Sequence, residues 1–249
     1  MHIYALQMII ILSMSYGSTW VGHRSSEPKA VKPTVLSSDI EQTQLHFEFE
    51  GHYLNEVSTP NGTEHVVDIQ GGASILDAGA PDIDKWTSSI IIPDEGTTSI
   101  EVISSSYRDY YDVAVAPSKG NFSREINPSD VSYEYGKSYQ SDSFYPGTLA
   151  ELQAPYIIRD LRGQTVILYP LQYNPVTKTL RLYTEIDVKV TTTGNSGFNT
   201  LDREIAKSVA KEFDNIYRHM FLNYENDTRF NYVLDEGNML VISYGDFMD

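Results

Sequence analysis

Between Leu180 and Val190 the side chains alternate with a period of two. Leu180, Leu182, Ile186, Val188 and Val190 share one parity, and Arg181, Tyr183, Glu185, Asp187 and Lys189 take the other. An extended strand with one buried and one solvated face satisfies that pattern in water. A shorter stretch repeats it: from Gln44 to Glu50, Leu45, Phe47 and Phe49 alternate with His46, Glu48 and Glu50, and continued parity puts His52 on the solvated side. Further strands are expected at His65–Ile69, Ser88–Ile92, Ser99–Ile103 and Tyr110–Ala116, between Gly, Pro and Asp clusters that supply turns. Thr165–Tyr169 reads as the hairpin partner of Leu180–Val190, joined to it through a turn at Tyr173–Lys178 in which Pro175 fixes φ. Tyrosine, with 18 copies, suits such half-buried pleated surfaces. The expected fold is mainly β, an antiparallel sandwich or jelly-roll-like domain.

The period changes once. Leu201, Ile205, Val209, Phe213, Ile216 and Met220 recur at spacings of four or three, which predicts one amphipathic helix over 200–222 whose apolar stripe docks on a neighbouring core. Asn199 or Thr200 would cap it, Asp202 favours its positive end, and Arg218 and His219 favour its negative end. A polar linker comes next at 223–238. Met239–Ser243 is then a continuous apolar run of the kind that opens a buried parallel sheet, so 239–249 reads as the start of a truncated α/β domain. At the other end, Ile3–Tyr16 is apolar but too short to span a bilayer. Residues 1–18 read as a signal peptide cut at Ser18 and Thr19, with an uncleaved anchor as the alternative, and 19–43 as a flexible N-terminus. The folded domain is expected at 44–222, its sandwich ending at about 192.

Several chemistries are excluded. With 18 Lys and Arg against 34 Asp and Glu, the net charge of -16 repels phosphate backbones and anionic headgroups, so neither a nucleic-acid nor, after signal removal, a membrane partner is expected. There is no cysteine, hence no disulfide, thiolate ligand or thiol nucleophile. The six histidines at 2, 23, 46, 52, 65 and 219 lack the helical i, i+4 spacing of a zinc site, so no metal and no cofactor is expected. Ser104–Ser106 lie in no G-x-S-x-G elbow, and Gly62, Gly71 and Gly72 stand in turns rather than in a phosphate cradle. No catalytic residues emerge.

Four segments together resemble a known family: Ala116–Gly120, Phe144–Gly147, Ala154–Gly163 and Pro170–Lys178. They are similar to the propeptide that precedes the catalytic domain of gingipains and related secreted bacterial cysteine peptidases, over roughly Leu45 to Val190. The resemblance implies a β-sandwich that covers the active-site cleft, assists folding and maintains latency. Its partners would be the cognate peptidase catalytic domain in cis and a processing protease that cuts after a basic residue. Arg229, followed by Phe230, is the matching candidate, an ordinary linker cation being the other reading. In arginine- or lysine-specific relatives a basic side chain enters the specificity pocket. Lys137, between Gly136 and Ser138 in the Tyr133–Tyr139 loop, is the candidate here, and a merely exposed loop lysine is the alternative. The chain lacks the catalytic His-Gly and Cys of these peptidases and their C-terminal sorting domain, so the parent protein, not these 249 residues, is expected to be the cysteine endopeptidase. The expected location is outside a bacterium or on its surface, reached through the periplasm. The second functional reading is a free-standing exported β-sandwich that serves as a binding, adhesion or inhibitor module.

Overall fold

A computed structural model describes residues 17–159, 161–201, 208–225 and 233–235. The apolar leader, the Arg229–Phe230 pair and the Met239–Ser243 run lie outside the described residues. In chain order the strands are β1 (Ser18–Gly22), β2 (Thr34–Ser38), β3 (Gln42–Glu48), β4 (Gly51–Thr59), β5 (Gly62–Asp68), β6 (Ala73–Ser74), β7 (Asp84–Ile91) and β8 (Thr97–Tyr110). They continue with β9 (Ala150–Leu152), β10 (Tyr156–Ile158), β11 (Leu161–Leu168), β12 (Leu171–Asn174), β13 (Thr179–Thr193), β14 (Ser208–Ala210) and β15 (Val233–Asp235), with helix α1 (Lys211–Met220) between the last two.

The fold is mainly β and antiparallel, and its centre is the alternating segment Leu180–Val190, which lies within β13. β13 pairs with β3 along one edge, setting Ile186 opposite Phe47 and Val188 opposite Leu45. Its other edge takes β8, with register shifts between Tyr183 and Glu185 and between Asp187 and Val188. β2 extends this sheet beyond β3, and β12 pairs with the start of β13. The second sheet runs β10-β11-β7-β6, with β9 also on β11. The two sheets pack face to face: Leu45, Phe47, Leu182, Ile186 and Val188 from the first meet Ile90, Val166 and Leu168 from the second in one core, all at most 1% exposed. Each such side chain contributes about 1.5–3 kcal/mol by leaving water. A three-stranded sheet, β1-β4-β5, joins this core through Val67.

Parity also explains the second apolar cluster. Ile90 and Ile92 face the sandwich, so Ile91 points to the outer side of its sheet, where Leu161, Tyr217, Phe221 and Tyr224 bury it. The chain after α1 is fixed by a side-chain mimic of strand pairing: Ile91 N donates to Asn223 Oδ1 at 2.7 Å, and Asn223 Nδ2 donates to Ile91 O at 3.0 Å.

Five expectations are corrected. The N-terminal segment expected to be flexible contains β1, paired with β4, and β2, paired with β3; Trp20 packs edge-on against Tyr53 at 5.0 Å and supplies the burial that its polar flanks lack. β11 belongs to the second sheet and the true hairpin partner of β13 is β12, because the chain crosses between sheets at Tyr169–Pro170. β8 runs unbroken to Tyr110, and the chain leaves it as loop. Among the described residues the helix spans Lys211–Met220, preceded by β14, and its inward face is Phe213, Tyr217 and Met220, leaving Ile216 46% exposed; Asn223 and Tyr224, assigned to the linker, are buried. Finally, His52 is 0% exposed: the chain breaks phase between β3 and β4, at Phe49–Glu50, so parity does not carry from His46 across the break.

Candidate functional site

Three loops meet beside the sandwich. Gly79 N donates to Ser118 O at 2.9 Å, Gly136 N donates to Gly79 O at 2.8 Å, and Ser118 N donates to Ala80 O at 2.7 Å, so residues 77–80 form a spine between the 117–131 loop and the 133–140 loop. The approach is close enough to require glycine: a Cβ on Gly136 would lie 2.9 Å from Gly79 O.

Lys137 opens a short 3-10 turn, Lys137–Gln140, and is exposed. Its neighbours are not free to move with it. Gly136 is held by Gly79, Ser138 Oγ lies 3.5 Å from the same carbonyl, and Tyr139 donates its hydroxyl to Val115 O at 2.8 Å. The structure therefore brings Gly136, Lys137 and Ser138 together on a pinned loop, and of these three only Lys137 is exposed.

The 117–131 loop is built differently. Lys119 closes its base, donating to Pro128 O at 2.8 Å with its ammonium 4.3 Å over the Tyr133 ring. From Asn121 to Asp130 every residue but Phe122 is exposed. Ile126 N donates to Ser123 O at 3.1 Å, which sets Arg124 and Glu125 at the two central positions of a tight turn. A 3-10 turn at Pro128–Asp130, capped by Asn127, closes the far side. Among the described residues no hydrogen bond or ion pair holds the Arg124 guanidinium. A reading confined to Gly- and Tyr-rich loops misses this residue. Its signal in the sequence is a cation inside a run of turn formers, Asn121 to Pro128.

Next to the 133–140 loop opens a groove of about 690 Å³ lined by Asn61, Glu64, Tyr135, Tyr139, Tyr173 and Lys178. Glu64 is 8% exposed and accepts a short hydrogen bond from Tyr135. Burial pushes the Tyr135, Tyr139 and Tyr173 hydroxyls above the ordinary phenol value, and Glu64 adds to each shift, so all three stay protonated donors. Ser18 and Thr19, the predicted signal-cleavage pair, are exposed at the start of β1, away from these loops in sequence.

Residues 23–228 match the family model described as Propeptide_C25. Gingipain R2 of Porphyromonas gingivalis is 40% identical over 210 residues, which cover 84% of this chain and 28% of the relative. Lys-gingipain of the same species is 22% identical over 225 residues, covering 86% of this chain and 13% of the relative. The chain thus spans less than a third of the length of these curated relatives. Among solved structures, a complex of the pro- and mature domains of RgpB from P. gingivalis superposes with a TM-score of 0.72 at 38% identity, covering 78% of this chain and 97% of the matched one. A structure describing zymogenic latency of gingipain K gives a TM-score of 0.60 at 21% identity, covering 72% and 100%, a likeness of fold.

Proposed function

The chain belongs to the Propeptide_C25 family, and from that membership we propose that it holds a gingipain-type cysteine endopeptidase silent in cis until the linker is cut. The observation that carries the reading is the superposition, at 38% identity, on nearly the whole of a chain from a pro–mature domain complex. The sandwich supplies a rigid body whose interface is formed before binding, so little ordering is needed on association. Onto the peptidase it presents a basic side chain in a geometry that does not lead to cleavage.

Two residues are candidates for that side chain. Lys137 fits as read from the sequence. Arg124 is favoured by position, because it occupies the apex of an exposed turn whereas the backbone on either side of Lys137 is tied down. Release comes with cleavage after Arg229, before Phe230, on the C-terminal side of the buried Asn223 and Tyr224, so that the cut would leave α1 with the sandwich. Export by a leader removed at Ser18–Thr19 completes the reading, and the activating protease acts outside the cell.

The test is a titration of the purified chain against the mature cognate peptidase. Inhibition is expected at or below micromolar concentration, and replacing the cation that fills the specificity pocket, Arg124→Ala or Lys137→Ala, is expected to weaken it about a hundredfold, the loss typical of a central anchor. No inhibition at a large excess of folded chain would favour the stand-alone adhesion or binding module instead.

A further inference from the structure

Glu64 is the unusual member of the groove beside the loops. It sits on β5 opposite Val57, is 8% exposed, and has the Tyr135 hydroxyl on Oε2, with Thr59 Oγ1 3.1 Å from that hydroxyl. Among the described residues no cation pairs with it. A carboxylate taken out of water without a countercharge is costly, and a neutral phenol offsets only part of that cost. Tyr135, Tyr139 and Tyr173 add aromatic walls to the groove. Tyr135 and Tyr139 meet edge to face at 4.9 Å, and the Tyr139 and Tyr173 hydroxyls are committed to Val115 O and Val113 O, each at 2.8 Å. The groove therefore offers a visitor one negative charge and aromatic surface, the combination that binds ammonium and guanidinium groups.

We propose that this groove is a subsite for a basic side chain, guanidinium or ammonium, carried by the peptidase that the neighbouring loops engage; in naming that partner it rests on the latency reading. Three features support it. The volume lies within the usual range for ligand sites, roughly 300–1,000 Å³. Tyr135 borders both the groove and the loop of Lys137, so a protein seated on the loops covers the groove as well. The chain's net charge of -16 draws basic surfaces toward it and repels anionic ligands. Lys178, exposed at the rim on a left-handed turn position with φ of 50°, is the one opposing charge among the lining residues.

The experiment uses the full chain and N-acetyl-L-arginine amide, followed by tyrosine fluorescence, with the neutral citrulline analogue as control. Saturable binding in the millimolar range is expected for the arginine compound and none for citrulline. Glu64→Gln, which keeps the size and the acceptor for Tyr135, weakens binding about tenfold or more, as removal of one partner of a buried charge pair does. Lys178→Gln strengthens it two- to threefold by removing about one unit of repulsion at the rim. Equal binding of citrulline, an unchanged Glu64→Gln variant or weaker binding by Lys178→Gln overturns the groove as a cation site. Against the peptidase, Glu64→Gln is expected to raise the inhibition constant by a similar factor. Selective probe binding by a wild-type chain that fails to inhibit would overturn the latency reading, and the named partner with it.

Discussion

The sandwich interior and the loop end of this molecule are held by opposite means. Inside, Leu45, Phe47, Leu182 and Ile186 are 0% exposed and interlock across two sheets, so shape and burial fix the fold. At the loop end, Asn121–Asp130 bury almost nothing, and the chain keeps its form through backbone hydrogen bonds at Gly79, Ser118 and Gly136 and the Lys119 closure. The difference separates stability from recognition. A tight base can carry a bare apex, which is free to vary in sequence without cost to the fold. The largest effect expected from that contrast is in the core: Phe47→Ala should destabilise by about 3–5 kcal/mol, the sum of lost transfer energy and a residual cavity. Urea unfolding measures it, and a loss below about 1 kcal/mol would mean the two sheets do not interlock through this ring.

Loops are not all alike, and Arg162 sharpens the comparison. It is 1% exposed, and its guanidinium donates to Pro93 O at 2.9 Å, to Gly96 O at 3.2 Å and to Phe198 O at 2.7 Å. Here a buried side chain sews the β7–β8 connection to the loop after β13; burial lowers its pKa, and the charge of Asp94 offsets part of that shift. Arg162→Ala should cost about 3 kcal/mol, because three carbonyls lose a charged donor at once. Stability unchanged within about 0.5 kcal/mol would place these loops in the same class as the bare apex.

How much of this is legible from the sequence depends on what each pattern encodes. Alternation in β3 and β13 reveals which residues are buried, since parity reports the face directly. It is silent on partners, so Thr165–Tyr169 reads into the wrong sheet. Parity also fails across a break: His52, two residues beyond Glu50, is expected in solvent and is buried against Tyr110 at a centroid distance of 4.8 Å. The helix shows the same limit. Its period is visible, but aromatic Tyr217, Phe221 and Tyr224 outcompete Ile216 for the docked face, a choice made by the cavity they fill. For the candidate site, composition is enough to find Lys137, whereas Arg124 needs the turn geometry, and Glu64 needs β5 to be placed against a loop more than sixty residues away.

Two buried titratable groups set up opposed responses to acid within the interior itself. Burial, then the charges of Asp68 and Asp82, push Asp84 up to about 7 from an ordinary 3.8. Burial alone pushes His52 down to about 4 from 6.5, and neither ring nitrogen has a partner among the described residues. Between about pH 7 and 3.8 the fold binds a proton at Asp84 that the unfolded chain does not, so stability rises as pH falls through that window. Between 6.5 and about 4 the unfolded chain protonates His52 first, so stability falls through that one. By about pH 5 each response is worth roughly 2 kcal/mol, and Asp82, which burial and then the Asp68 charge push up to about 6, adds to the Asp84 side, so the wild type should gain slightly on acidification. Asp84→Asn, which keeps the acceptor for Ile69 N, should lose stability on acidification, and His52→Phe should gain it. Denaturant curves at about pH 7.5 and pH 5 decide the matter: variants that both track the wild type would show that these groups do not control the response.

The smallest stability effect belongs to the apex. Arg124→Ala removes a side chain that is exposed and held by no hydrogen bond or ion pair among the described residues, and the turn beneath it is closed by the Ile126–Ser123 backbone bond, which alanine preserves. The change in unfolding free energy should therefore stay within about 0.5 kcal/mol. Lys119→Ala, five residues earlier, makes the informative contrast, since it removes both the hydrogen bond to Pro128 O and the ring contact with Tyr133 that close the loop. It should leave global unfolding almost as it was, because the loop buries so little, yet speed proteolysis within Asn121–Asp130 as the base opens more often. Equal cleavage rates in the two variants would mean that the apex is held by something other than its base, and the division between a fixed foundation and a bare tip would lose its physical ground.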